Sequence, residues 1–177
     1  FHTIRNSFPT FFMTWTLQGA WVYLTSCAAL AAVTSSNTVG LDAMFFVGFG
    51  IWAFGFAIEV IADRQKTVFR ADPDNADKFI KTGLWAWSRH PNYFGEILLW
   101  AGIAVMAYPA LVGWQALTLL APIWVVLQMT AISGTRMLEA RANKTWGSDP
   151  EYQAYKKSTP LLMLWPCLLY TSDAADE

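Results

Sequence analysis

Charge is scarce in this chain. Only 14% of its residues are Asp, Glu, Lys or Arg, while 55% are apolar; a soluble domain carries about a quarter charged residues. Mean hydropathy is positive, and the apolar residues come in long blocks. Together these exclude an ordinary water-soluble core and argue for a membrane-embedded chain. A net charge of −1 leaves no sequence-wide basic field for nucleic acid. Histidine and cysteine are equally scarce. His2, His90, Cys27 and Cys167 make neither a disulfide framework nor a metal-ligand set, and His90 reads as structural. There is no Walker loop and no Rossmann fingerprint: Gly48-Phe49-Gly50 with Gly55 has the wrong spacing and lies in an apolar block, where glycines serve close helix packing. No Ser-His-Asp or Cys-His arrangement is present. A nucleotide would have to be held by the ends of membrane helices and their cytoplasmic extensions.

What is there, in 177 residues, is one domain's worth of chain with four apolar segments. They run from about Phe11 to Val33, Leu41 to Ala62, Tyr93 to Tyr108, and Ala110 to Ile132, the last containing Pro122. About 20 residues cross a bilayer as a helix, so the first, second and fourth suffice and the third is marginal. Arg5 precedes the first segment. Arg64, Lys66, Arg70, Lys78, Lys81 and Arg89 lie in the connection between the second and the third. Arg136, Arg141, Lys144, Lys156 and Lys157 follow the fourth. These are all 12 Lys and Arg of the chain, and they share one side if all four segments span. The expectation is an all-α multi-pass transmembrane helix bundle of four membrane helices, with cytoplasmic amphipathic helices, both ends of the chain being cytoplasmic. Residues 1–166 form the domain. Cys167 to Glu177 resembles translated sequencing-adapter read-through and is set aside; with Phe rather than Met at position 1, the chain reads as a fragment of a longer protein.

Three constellations carry chemistry. Glu59, Asp63, Lys66 and Arg70 fall within one sector of about 60° if the second segment continues as a helix. They form either a salt-bridge ladder or a docking face for a phosphate-bearing ligand, cations on the phosphate and acids on hydroxyl or amide groups. Ser88 to Glu96 (SRHPNYFGE) opens a helix at Pro91, which places Asn92, Glu96 and Trp100 on one face. A carboxylate inside an apolar run is a functional-site candidate; the alternative has Asn92 as a cap and Glu96 paired with Arg89. From Arg136 to Trp146 a cytoplasmic helix continues out of the fourth segment with Glu139 and Asn143 on one face, followed by turns at Gly147 to Pro150 and by Tyr152 and Tyr155.

The run Glu59-x3-Asp63-x-Gln65-Lys66-x2-Phe69-Arg70, then Gly83-Leu84-Trp85-x2-Ser88-Arg89-His90-Pro91-Asn92-Tyr93-Phe94-Gly95-Glu96, then Ser133-Gly134, Leu138-Glu139, Trp146-Gly147 and Tyr152-x2-Tyr155, closely resembles the steroid 5-alpha-reductase-like membrane family, nearest its bacterial-type branch. The resemblance covers the chain to about Pro166. It implies an NADPH-dependent reductase of about seven membrane helices that reduces a carbon–carbon double bond in a steroid- or lipid-like enone. Asp63 and Arg70, with Lys66 beside them, are implied on the adenosine and phosphate portion of the cofactor. Trp85, Asn92 and Glu96 are implied towards the nicotinamide, and Arg89, Arg141 and Tyr155 as further contacts. Glu59 departs from the family, where an Asn matches this position. The groups that polarise the substrate carbonyl belong to helices preceding Phe1, so no catalytic residue is named here. The implied partners are a lipid-like substrate and the bilayer, with no metal, in a bacterial inner membrane rather than the endoplasmic reticulum. The Arg89 to Gly95 pattern is shared with isoprenylcysteine carboxyl methyltransferases, which use S-adenosylmethionine. A non-catalytic protein retaining the cofactor fold is a third reading.

Overall fold

The computed structural model describes residues 6–132 and 134–164. Helix α1 (Phe8–Thr34) starts at a proline in its first turn. Helix α2 (Ala43–Ala71) is capped by Asp42, whose carboxylate accepts from the Phe45 amide at 2.8 Å. Helix α3 (Pro91–Ala107) tightens into a 3-10 turn at Tyr108–Ala110. Helix α4 (Ala121–Leu127) is followed by α5 (Gly134–Trp146) and by α6 (Pro150–Ser158), which Asp149 caps. No strand occurs among the described residues. Among the described residues, four stretches are long and apolar enough to cross a membrane: Phe8–Thr34, Ala43–Ala71, Pro91–Ala110 and Gly113–Trp146. The chain is thus an all-α membrane bundle.

The fourth crossing is not the single helix that its apolar run suggests. It begins as a 3-10 helix over Gly113–Leu120, becomes α4 at Pro122's turn, and widens to a π-helix over Gln128–Ile132. Proline has no amide to donate and fits only the first turn of an α-helix, so α4 starts where Pro122 permits. The π-turn coincides with a polar side chain among apolar ones. Gln128 is 1% exposed, and its carbonyl accepts weakly from Thr25 of α1 at 3.5 Å.

Helices α2 and α3 form the closest pair, running antiparallel through two glycine contacts. A Cβ on Gly55 would lie 2.6 Å from the Gly95 carbonyl oxygen, and one on Gly48 2.7 Å from that of Gly102. Backbones this close leave no room for a side chain on either helix. Gly50, which the sequence groups with Gly48 and Gly55, faces open space. A second contact region of small residues, Ala28, Ala107 and Ala121, joins α1, α3 and α4; Cys27 packs against it as a free thiol, and Cys167 lies outside the described residues.

The two connections without Lys or Arg meet at one end of the bundle. Ser35 donates to the Ala110 carbonyl at 2.6 Å and Asn37 to that of Pro109 at 3.0 Å. The charged segments meet at the other end: Trp146 donates to the Asp77 carbonyl at 2.6 Å, and Lys81 pairs with Glu151. At about 1.5 Å per residue, the 29 residues of α2 outreach a hydrocarbon core of about 30 Å. Its last turns, from Asp63 to Arg70, therefore carry the charge stripe beyond the apolar layer.

Candidate functional site

At the charged end, the connection from α2 to α3 folds over α5 and α6. Asp72 caps a short 3-10 turn by accepting from the Asp74 amide at 3.0 Å, and Asn75 donates back to the Phe69 carbonyl at 3.1 Å. The chain then lays Phe79 among Trp146, Tyr152 and Tyr155, with ring centroids 6.0, 5.2 and 5.4 Å apart. Gly83 follows at φ 62°, a left-handed conformation that favours glycine. A Cβ there would also lie 2.5 Å from the Gln65 amide nitrogen. That proximity lets the Gln65 carbonyl accept from the Leu84 amide at 3.0 Å and sets Trp85 in place. Trp85 is buried; its indole donates to the Ala62 carbonyl at 3.1 Å, and its own carbonyl accepts from the Tyr155 hydroxyl at 2.7 Å. Lys66 sits 5.3 Å from the Trp85 ring, a cation–π distance.

These elements enclose a cavity of about 510 Å³ whose wall includes Lys66, Arg70, Trp85, Arg89, Arg141 and Tyr155. Six of the residues singled out from the sequence thus share one pocket, contributed by α2, α5, α6 and the connection between α2 and α3. Burial raises the phenol pKa of both Tyr152 and Tyr155, so both stay neutral hydrogen-bonding groups at physiological pH. Phe79 also lines the cavity. Its signal in the sequence is faint: an aromatic residue amid the charges of Asp77, Lys78 and Lys81.

The other four candidates lie along the seam of α2 and α3. Asn92 donates to Asp63 at 3.1 Å, and the Trp100 indole donates to Glu96 at 3.2 Å. Glu59 packs against Gly95, whose missing side chain makes room for it: a Cβ there would lie 2.8 Å from the Glu59 amide. Among the described residues no ion pair joins members of the Glu59–Asp63–Lys66–Arg70 stripe. The salt-bridge ladder is absent: on this one face the acids lie level with α3, where Asp63 accepts from Asn92, and the cations lie beyond the start of α3, on the cavity wall.

The pairing of Glu96 with Arg89 is also overturned. Arg89 is held by Glu139, fifty residues further along the chain, and by the Thr159 carbonyl at 3.1 Å. Glu139 also meets His90 at 3.1 Å and Lys156 at 3.7 Å. Asn92 caps nothing; His90 is the N-cap of α3 and makes no side-chain cap bond. The shared face of Glu139 and Asn143 is observed, since Lys156 reaches both, donating to Asn143 at 2.8 Å. Among the described residues no group of three His, Cys, Asp or Glu is placed to hold a metal.

A family model described as "Protein of unknown function (DUF1295)" matches residues 1–159. The chain belongs to this family, which is the steroid 5-alpha-reductase-like family. Human 3-oxo-5-alpha-steroid 4-dehydrogenase 1 is 33% identical over 86 residues, covering 49% of this chain and 31% of the human protein. An uncharacterized Schizosaccharomyces pombe protein is 25% identical over 156 residues, 76% of this chain and 43% of its own length. A probable O-methyltransferase, ustE of Ustilaginoidea virens, is 30% identical over 106 residues, 51% of this chain and 37% of its own. The chain therefore spans less than half the length of these relatives. No solved structure matches it.

Proposed function

We propose that this chain forms the cofactor-binding part of a membrane-embedded, NADPH-dependent reductase of a carbon–carbon double bond in a steroid- or lipid-like enone. The observation that carries the reading is the cavity at the charged end, where Lys66, Arg70 and Arg141 stand beside Trp85 and Tyr155. Its donor set fits a dinucleotide carrying an extra phosphate. Guanidinium and ammonium groups suit phosphate oxygens, and the neighbouring rings of Phe79 and Trp146 suit a planar base. Asp63, bonded to Asn92, and Glu96, bonded to the Trp100 indole, are acceptors for hydroxyl and carboxamide groups along the α2–α3 seam. NADPH would supply the hydride. In this reading the chain binds the phosphates on α2 and α5, orients the carboxamide through Asn92 and Glu96, and keeps water from the apolar layer above them. The name of the human relative supports a steroid-like substrate that reaches the site through the bilayer, and the Lys and Arg distribution supports a cytoplasmic cavity.

The test is NADPH titration of the chain in nanodiscs, beside Arg70→Ala and Arg141→Ala. Each loss of a charge-assisted contact is expected to weaken binding by about tenfold to a hundredfold, from about 1.5–3 kcal/mol per contact. The similarity to a probable O-methyltransferase favours one second reading, an S-adenosylmethionine-dependent transferase. That reading requires S-adenosylmethionine to bind where NADPH does not.

A further inference from the structure

Glu139 is the one carboxylate on the cavity wall among the described residues, and its partners come from two separate stretches of chain. It pairs with Arg89 and meets His90 at 3.1 Å, both at the start of α3, and meets Lys156 of α6 at 3.7 Å. Side-chain exposures of 18% for Glu139 and 14% for Arg89 put this pair largely out of water, where a charged hydrogen bond holds its geometry far better than on the surface. The first turn of α3 has no side-chain cap from His90, and Pro91 has no amide to donate; on the α2 side it is held by the Asn92–Asp63 bond and the Gly55–Gly95 contact. On the side facing α5 and α6 it is tied by Glu139 and by the backbone bond from Arg89 to the Pro160 carbonyl at 3.0 Å.

We propose that Glu139 is a positioning residue that fixes α3 against α5 and so sets the span between two ends of one ligand site. Arg141, two residues along α5, belongs to the phosphate end. Asn92 and Glu96, in the first turns of α3, belong to the carboxamide end. Glu139 also keeps Arg89 out of the anion site by neutralising it, leaving Lys66, Arg70 and Arg141 to meet phosphate. The inference rests on the NADPH reading above, and it separates two ligands. NADPH bridges both ends and is sensitive to their spacing. Adenosine 2′,5′-bisphosphate reaches only the phosphate end and is not.

The experiment compares both ligands on the full chain in nanodiscs, for the unaltered protein, Glu139→Gln and Glu139→Asp, with thermal unfolding recorded for each. Glu139→Gln is expected to weaken NADPH on the order of tenfold, the cost of about one misaligned charge-assisted hydrogen bond. The same variant holds adenosine 2′,5′-bisphosphate as tightly as before or more tightly, because Arg89 is released. Glu139→Asp keeps the charge and restores most of the NADPH affinity. Equal weakening of both ligands, or NADPH affinity unchanged in Glu139→Gln, overturns the proposal. An unaltered protein that binds neither ligand, also when joined to the N-terminal helices of a family relative, overturns instead the cofactor reading on which it stands.

Discussion

Adding one methyl group at Gly95 tests the packing that brings the acids of α2 against α3. An alanine Cβ there would lie 2.7 Å from the Gly55 carbonyl oxygen, 2.8 Å from the Glu59 amide and 3.0 Å from the Glu59 Cβ. Two of these neighbours are backbone atoms and cannot rotate away, so the helices must part by roughly 0.7–1 Å to restore ordinary contact of about 3.5 Å or more. Overpacking of this kind costs about 1–3 kcal/mol, against which alanine regains about 0.5–1 kcal/mol of helix preference over glycine. The net expectation is a loss of about 0.5–2 kcal/mol, and the 3.1 Å bond from Asn92 to Asp63 stretches beyond hydrogen-bonding range. Gly50 is the internal control: nothing lies within 4 Å of its added Cβ, so Gly50→Ala is expected to be neutral or slightly stabilising. Thermal unfolding in detergent, followed by tryptophan fluorescence, should show Gly95→Ala unfolding several degrees below Gly50→Ala. Equal midpoints for the two variants would refute the backbone contact between α2 and α3.

Four further outcomes are expected. Gly83→Ala meets both a left-handed φ of 62° and the Gln65 side chain; it should cost at least about 1–2 kcal/mol and shift Trp85 fluorescence, and an unchanged spectrum and midpoint would contradict the turn. Gln128→Met removes a buried amide whose nitrogen has no partner among the described residues and whose one bond is a long 3.5 Å; unfolding midpoints should be unchanged or higher, and a large loss would mean that the amide is more firmly bound. Tyr155→Phe frees the Trp85 carbonyl from a 2.7 Å bond, an expected loss of about 1 kcal/mol in the same assay. Burial raises the Tyr155 pKa from its ordinary 10.0, so the unfolded phenol ionises first and stability falls as pH rises above about 10; Tyr155→Phe should flatten that fall, and an equally steep decline would remove Tyr155 from the account.

The sequence makes the local relations legible and leaves the distant ones hidden. The stripe from Glu59 to Arg70 and the face of Asn92, Glu96 and Trp100 are visible because helical periodicity ties residues three and four apart. The gathering of charge at one end is visible because every Lys and Arg falls outside the connections between segments 1 and 2 and between 3 and 4. The partner of Arg89 is not, since Glu139 lies fifty positions away while Glu96 is the acid that lies near in sequence. Nor can composition tell Gly55, pressed on Gly95, from Gly50, which faces open space; that distinction belongs to the crossing of two helices. The break of the fourth crossing into 3-10, α and π segments is half legible. Pro122 marks where the α-helix begins, but nothing in the apolar run signals a π-turn at Gln128. The stripe also divides in space in a way that periodicity alone does not show, with its acids on the α3 seam and its cations on the cavity.

The central claim is that the charged end of this bundle binds NADPH, with phosphates on the cations of α2 and α5 and the carboxamide near Glu96. Equilibrium titration with NADPH in nanodiscs tests it most directly, run on the unaltered chain, Arg70→Ala and Glu96→Ala, with S-adenosylmethionine as competitor and, in parallel, on the chain joined to the N-terminal helices of a family relative. The account predicts saturable NADPH binding that both substitutions weaken and that S-adenosylmethionine does not displace. Binding of S-adenosylmethionine in place of NADPH, or no NADPH binding by the extended protein, would contradict it.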